Sequence, residues 1–372
     1  MKKSILLASS AFVALGAIAG NAVDVDLYGQ VNKSILVYDD GKDTEANFVD
    51  NDKSSTRFGL RGSQALDNGL TASVLIEAEV QSNASNAIQQ QTANTNLPST
   101  PVDGGAATLT ERHTRVGLAG NWGAVFLGRT STATDGITEI DIAGVDDVMG
   151  SGIDRFGGVL AFRNSAGGLT STKVADVFDN LDGIASRSHD DRVQTVRYDS
   201  PIFNGFQGRI AAAQGGDIDA AVLYSGKIDA FEVKGGVGYV AFNNTETKTN
   251  NILDDQWAGS ISVKHDMGIG ATIAYGEQNL DKKAAGVDDP SFIYVKLGYT
   301  WDAFEVGADY TKASDMQIGT LDQEATAWGL AGQYNMGNGV SLAGLYRNLD
   351  LDRTGTDTDS INLYALNLRV KF

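Results

Sequence analysis

Sixteen segments of this chain alternate apolar and polar side chains, and the connections between them alternate too, short then long. Period-two alternation marks strands with one apolar and one polar face. The segments begin at "LYGQVNKSIL" and run through "TRFGLRGS", "LTASVLIEAEV" and thirteen more to "INLYALNLRVKF". Seven connections are tight and rich in turn residues, such as Leu66-Asp67-Asn68-Gly69, Gly120-Asn121-Trp122-Gly123 and Met336-Gly337-Asn338-Gly339. The other eight, 38–54, 80–108, 130–190, 214–219, 241–256, 277–290, 312–324 and 347–360, are mostly long and very polar. A sandwich has no reason to gather every long loop at one end. A transmembrane antiparallel β-barrel does, with short turns on one side and long external loops on the other.

The terminus supports closure. Most chains fray into polar residues at the end; this one stops in mid-strand on Phe372, after Tyr364, Leu366, Leu368 and Val370 on the same face. A barrel pairs its last strand with its first, so Phe372 should sit beside Val23 and face lipid at the rim. Tyr28, Tyr198, Phe206, Tyr224, Phe231, Trp257, Tyr299, Phe304 and Tyr334 lie near strand ends, where two aromatic girdles are expected.

Val23 is first in the mature chain because "MKKSILLASSAFVALGAIAGNA" has the basic start, apolar middle and small-residue end of a secretory signal peptide, cut after Ala22 or alternatively Ala19. The other reading, a membrane anchor, has an apolar run shorter than the ~20 residues of a spanning helix. No cysteine is present, which excludes a disulfide framework or thiolate metal site. The formal charge of −18 argues against nucleic acid as a partner. With 44 glycines, 4 prolines and a mean hydropathy of −0.16, a soluble β protein and a membrane barrel both fit.

Alternation also assigns side chains to the lumen. "STRFGLRG" puts Ser55, Arg57 and Arg61 opposite Phe58 and Leu60, and "HTRVGLAG" puts Arg115 with His113 and Gly117 opposite Val116 and Leu118. An arginine facing lipid at the midplane costs ~2–4 kcal/mol, so these point inward. Nothing suggests catalysis. The histidines, His113, His189 and His265, fall on a strand, a loop and a turn, with no metal-ligand spacing or phosphate-binding motif.

"VDLYGQ", "STRFGLRGSQALDNGL", "TRVGLAGNWGAVFLGRT", "RVQTVRYDSPIFNGF" and the terminal Phe together resemble the general porins of Gram-negative bacteria, from Val23 to Phe372. The resemblance implies a trimeric, sixteen-stranded outer-membrane barrel, reached through the periplasm, with its third external loop folded into the lumen. The third long connection leaves after Arg129 and returns near Arg192. Its "TDGITE" resembles the acidic stretch that faces the pore in that family. The resemblance thus implies a constriction with Arg57, Arg115 and Arg192 on the wall and Asp135, Glu139 and Asp141 on the loop. The plain alternative is that loop acids are merely solvated. Gln30 stands where the family often has a lysine.

One ambiguity stays open. "DRFGGVLAFRNS" (154–165) also resembles the family's sixth strand, which would make Arg155 the wall arginine and give eighteen strands. Arg192 shares parity with Val196 and Tyr198, so it reaches the lumen only through a bulge or by preceding its strand.

Function is expected to be passive diffusion of small hydrophilic solutes and ions, with mild cation preference. The rivals are a substrate-selective porin and a non-conducting structural or adhesive barrel. The expected partners are a homotrimer, latched by loop 80–108, and outer-membrane lipid with lipopolysaccharide. No cofactor is expected. Ca²⁺ could bridge the acids of the first loop (Asp39, Asp40, Asp43, Glu45, Asp50, Asp52) and the last (Asp350, Asp352, Asp357, Asp359), although solvation is the plainer reading.

Overall fold

The computed structural model describes residues 24–88, 90, 108–184, 192–243, 253–281, 283, 285–319 and 322–372. The expected signal peptide, Val23, most of the 80–108 latch and His189 lie outside them.

One antiparallel sheet closes on itself. Its strands are β1 (Asp24–Asp39), β2 (Thr44–Asp50 and Arg57–Ala65), β3 (Thr71–Gln81), β4 (Thr108–Gly120), β5 (Gly123–Ser131), β6 (Arg192–Asp199), β7 (Phe206–Ala213) and β8 (Ile218–Ile228). They continue as β9 (Phe231–Ala241), β10 (Leu253–His265), β11 (Ile269–Leu280), β12 (Ser291–Trp301), β13 (Phe304–Ser314), β14 (Gln323–Gly337), β15 (Val340–Arg353) and β16 (Ile361–Lys371). The sheet has 17 segments, two of which are halves of β2, so the wall is sixteen strands. β1 pairs with β16 from Gln30↔Lys371 to Asp39↔Asn362. Phe372 does not meet the start of β1 as expected: it lies opposite Gly29, with which it exchanges two backbone hydrogen bonds of 3.0 Å, while Asp24 pairs only with Ser63, because β1 runs on past the seam.

The eighteen-strand alternative is excluded. Ala161–Asn164 pairs with Leu169–Lys173 and Thr358–Asp359 in a separate three-stranded sheet. Phe162 within it and its neighbours Phe156 and Leu160 are buried, so this segment is apolar for a reason other than lipid. Together with Val148, Ile153, Val177, Phe178, the inner face of β12–β16 and Leu36 and Tyr38 of β1, they form a hydrophobic core inside the barrel.

The outer face alternates as expected: Leu60, Ile76, Val116, Val222, Leu330 and Leu368 are exposed to lipid. Aromatic belts flank them, with Tyr299, Trp301, Phe304 and Tyr334 stacked in sequence near the short turns (ring centroids 4.8–5.7 Å). Tyr28 is not in a belt. It points inward, and its hydroxyl donates to Glu77 Oε2 (2.8 Å).

The first connection also differs from expectation. β1 and β2 continue as a hairpin beyond residue 38, turning at Asp40–Asp43 around Gly41 (φ 88°). The interruption comes later, at 51–56, where six residues oppose two of β1 and bend into the lumen around the turn Asp52–Ser54. Its acids are largely occupied. Buried Asp40 pairs with Arg163 Nε (2.8 Å), and Asp43 with Arg163 Nη2 (2.7 Å). Asp50 pairs with Lys33 and accepts from the Ser82 N–H (3.0 Å). Among the described residues no group of three or more His, Cys, Asp or Glu is placed to hold a metal.

Two outcomes follow. A Cβ at Gly29 would lie 2.6 Å from Phe372 Cζ and 2.7 Å from the Arg57 carbonyl oxygen. Gly29→Val should therefore impair closure, read as loss of the compact, heat-modifiable band on unheated gels; a normal band would show that the seam tolerates displacement. A Cβ at Gly298 would lie 2.0 Å from the Ala143 oxygen of the inward loop. Gly298→Val should lower stability by about 1–3 kcal/mol, the usual cost of overpacking, and lower conductance by pushing the loop into the lumen; unchanged melting and conductance would place the loop elsewhere.

Candidate pore constriction

The segment 132–184 enters the barrel and follows its inner wall strand by strand. Asp219 on β8 accepts from the N–H groups of Ala133 (3.1 Å) and Thr134 (2.8 Å). Ser260 on β10 donates to the Ile137 carbonyl (2.6 Å), and Ser262 accepts from the Ile142 N–H (2.9 Å). Thr272 on β11 donates to Asp141 (2.6 Å), and Lys296 on β12 pairs with the same carboxylate (2.6 Å). Glu305 on β13 accepts from the Val145 N–H, and Asp147 is held by Gln333, Ser341 and Arg369 on β14, β15 and β16.

Inward glycines make room for this close approach. Gly236 faces Ile137 and Ile140, Gly238 faces Thr134, Gly270 and Gly298 face Ala143, and Gly307 faces Val145 and Met149. A side chain at most of these places would meet the loop at under 3.2 Å.

The loop covers β8–β16, so the wall left facing it is β2–β7. That wall is basic. Arg57 lies 3.7 Å from Glu77, and Arg115 stacks on Phe126, its guanidinium carbon 4.1 Å from the ring centre. Arg192 is the first residue of β6. At the strand's end its side chain bends toward the lumen, where Nε donates to His113 Nε2 (3.0 Å). The other ring nitrogen of His113 contacts Thr130 Oγ1 (3.0 Å).

Parity concealed a fourth arginine. A register shift between Glu77 and Ala78 makes Arg112 a bulge residue, and a bulge re-aims side chains. Arg112 consequently reaches both Glu77 (2.7 Å) and Glu79 (2.7 Å) on the lumen face. The run Glu111-Arg112-His113, three polar residues breaking the alternation, is the signal that marks it. Arg61, which lies 3.8 Å from Asp26, and Arg197 and Arg209, which share Asp199 at 2.9 and 3.6 Å, complete the wall. Arg197 was legible from parity, since Val196 and Tyr198 flank it and point out.

Of the loop acids, Asp135 feels the charges of Arg192 and Arg197. Glu139 is exposed and accepts from Asn180 (3.2 Å). Asp141 is turned away from the arginines, tied to Lys296 on the covered side, because the loop needs an anchor there. The two acids therefore titrate differently. Burial pushes the Asp135 carboxyl above its ordinary value, with Arg192 opposing. Burial also acts on Asp141, but the Lys296 charge and hydrogen bonds outweigh it and lower the value.

Gln30 holds the β2 bend, donating to Ser54 and Ser55 carbonyls at 2.7 and 2.9 Å. That bend carries Lys53 into a polar cavity beside Glu139, Asp141 and Asp146. A cation thus enters the lumen from a residue the alternation pattern could not assign.

A family model described as Gram-negative porin matches residues 5–354. Among solved structures, the chain is similar to an anion-selective porin from Comamonas acidovorans (18% identity, TM-score 0.61, covering 94% of this chain and 100% of that one). It is also similar to Salmonella typhi OmpF in complex with daunomycin (15%, 0.61, 95% and 99%) and to in-vitro folded OmpT of Vibrio cholerae (15%, 0.58, 96% and 99%). No curated protein matches. The structural likenesses speak for the barrel fold, and the family model spans nearly the whole chain: the protein belongs to the Gram-negative porins, channel proteins of the bacterial outer membrane.

Proposed function

We propose that the protein is a diffusion channel for small hydrophilic solutes and ions, mildly cation-selective, with Arg57, Arg115 and Arg192 on the wall and Asp135 and Glu139 on the loop bounding the neck. The observation that carries this reading is the loop's path: its anchors run along β8–β16, and the arginines of β2–β7 stand on the side it leaves uncovered. Seven wall arginines (57, 61, 112, 115, 192, 197, 209) face four wall acids (Asp26, Glu77, Glu79, Asp199), and the loop adds Asp135, Glu139 and Asp146 against Lys53. The neck is thus near balance. Preference then follows the field of the acidic long-loop end and of the chain, whose formal charge is −18.

The working unit in this reading is a homotrimer. Outward rings at the outer level run from Tyr239 and Trp257 to Trp328, Tyr346 and Tyr364, on β9–β16. On the outward face of β1–β4, Val31, Ile35, Phe48, Phe58, Ile76 and Leu109 stand exposed without the polar tip of a Tyr or Trp, as suits contact with protein rather than the headgroup boundary.

The zero-current potential under a KCl gradient measures the preference. It should indicate mild cation selectivity that fades as the Debye length falls from ~10 Å at 0.1 M to ~3 Å at 1 M. Arg57→Ala should strengthen it, and Asp135→Asn with Glu139→Gln should weaken or reverse it; no response to the double change would place the constriction elsewhere. Because the Asp135 carboxyl is raised, it gains its proton before Asp141 as pH falls. Cation preference should therefore drop as the medium is acidified in the native protein and respond less in Asp135→Asn. An identical pH response in both would rule Asp135 out.

A further inference from the structure

An aromatic ring faces the lumen on the basic wall. Phe126 lies between two guanidinium groups, with Arg115 4.1 Å and Arg197 5.1 Å from its centre. Room for the ring comes from Gly117, where a Cβ would meet Phe126 Cδ1 at 2.7 Å. The two arginines differ in what else they hold. Arg197 donates to the Ser131 carbonyl (2.9 Å) and pairs with Asp199 (2.9 Å). Arg57, Arg61, Arg112 and Arg209 each have a carboxylate within 4 Å as well. Arg115 has none, and among the described residues it makes no hydrogen bond; its one direct partner is the ring.

A guanidinium laid on a ring is held in one orientation. Its N–H donors, unspent on the described residues, form a fork that matches a carboxylate in the same plane. We propose that Arg115 on Phe126 is a docking station for organic carboxylates, favouring acids whose carboxylate is conjugated to a flat group. In such an acid the flat part continues the plane of the fork, whereas a saturated ring stands out of it. The site rests on the channel reading given above. Charge along the neck and the loops sets the balance of K⁺ and Cl⁻, whereas the station acts on a carboxylate by direct contact.

The test is single-channel recording in KCl with added potassium benzoate or potassium cyclohexanecarboxylate. Benzoate should interrupt the current in a concentration-dependent way, and cyclohexanecarboxylate more weakly. Arg115→Gln should weaken the benzoate effect about tenfold, as expected for loss of a charged hydrogen-bonded pair. Phe126→Leu should erase the difference between the two acids. Variants are recorded only if they run as folded barrels on unheated gels; if Arg115→Gln does not, Arg115→Lys, which keeps charge without the fork, should lose the preference for the flat acid. Equal interruption by both acids in the native channel, no interruption by benzoate, or undiminished interruption in Arg115→Gln would overturn the station while leaving the channel intact. Absence of any KCl current would instead overturn the channel on which it rests.

Discussion

The pairing of β1 with β16 is the constraint on which everything else depends. In lipid a backbone N–H or C=O without a partner costs several kcal/mol, so a spanning sheet must have no edge. Closure from Gln30↔Lys371 to Asp39↔Asn362 removes the edge and fixes which side chains face inward. It also encloses a space that the third long connection enters, anchored along the inner wall.

Ion pairs and glycines share the work of holding the loop. Asp141 with Lys296 and Asp147 with Arg369 set charged anchors on the covered wall. The loop's backbone approaches Gly270 and Gly298 closely enough that any side chain there would collide. Beyond residue 147 the chain builds a hydrophobic core against β12–β16, including Phe156, Phe178, Leu345 and Leu363. That side of the lumen is thereby filled, and in the proposed channel the route for water is displaced toward the arginines of β2–β7. A barrel that is polar inside on one side and apolar inside on the other follows directly.

The wall was legible because its two signals are local: alternation within strands and turn chemistry between them. All sixteen segments read from the pattern lie in wall strands. The inward direction of Arg57 and Arg115 was legible for the same reason. What the alternation pattern missed is non-local or breaks the period. Arg112 is inward through a bulge, and Lys53 arrives on a bend between two halves of one strand. Tyr28, near a strand end, looked like a belt residue, yet Glu77 across the lumen face holds it inside. The inner core was hidden because apolar residues of 154–165 read equally well as lipid-facing. Asp141 carried the right charge in the right loop, but only the position of Lys296, 155 residues away, reveals which way it turns.

The chain has no cysteine, so single cysteines can report on the water route directly. A charged thiol reagent applied during conductance recording should react within seconds at Glu139→Cys and Arg61→Cys and change the current. At Ala327→Cys and Leu345→Cys, on the inner face of β14 and β15 beneath the core, it should leave the current unchanged. Rapid modification of Leu345→Cys with a fall in conductance would mean that the covered half of the barrel is open water, and would contradict an off-centre channel.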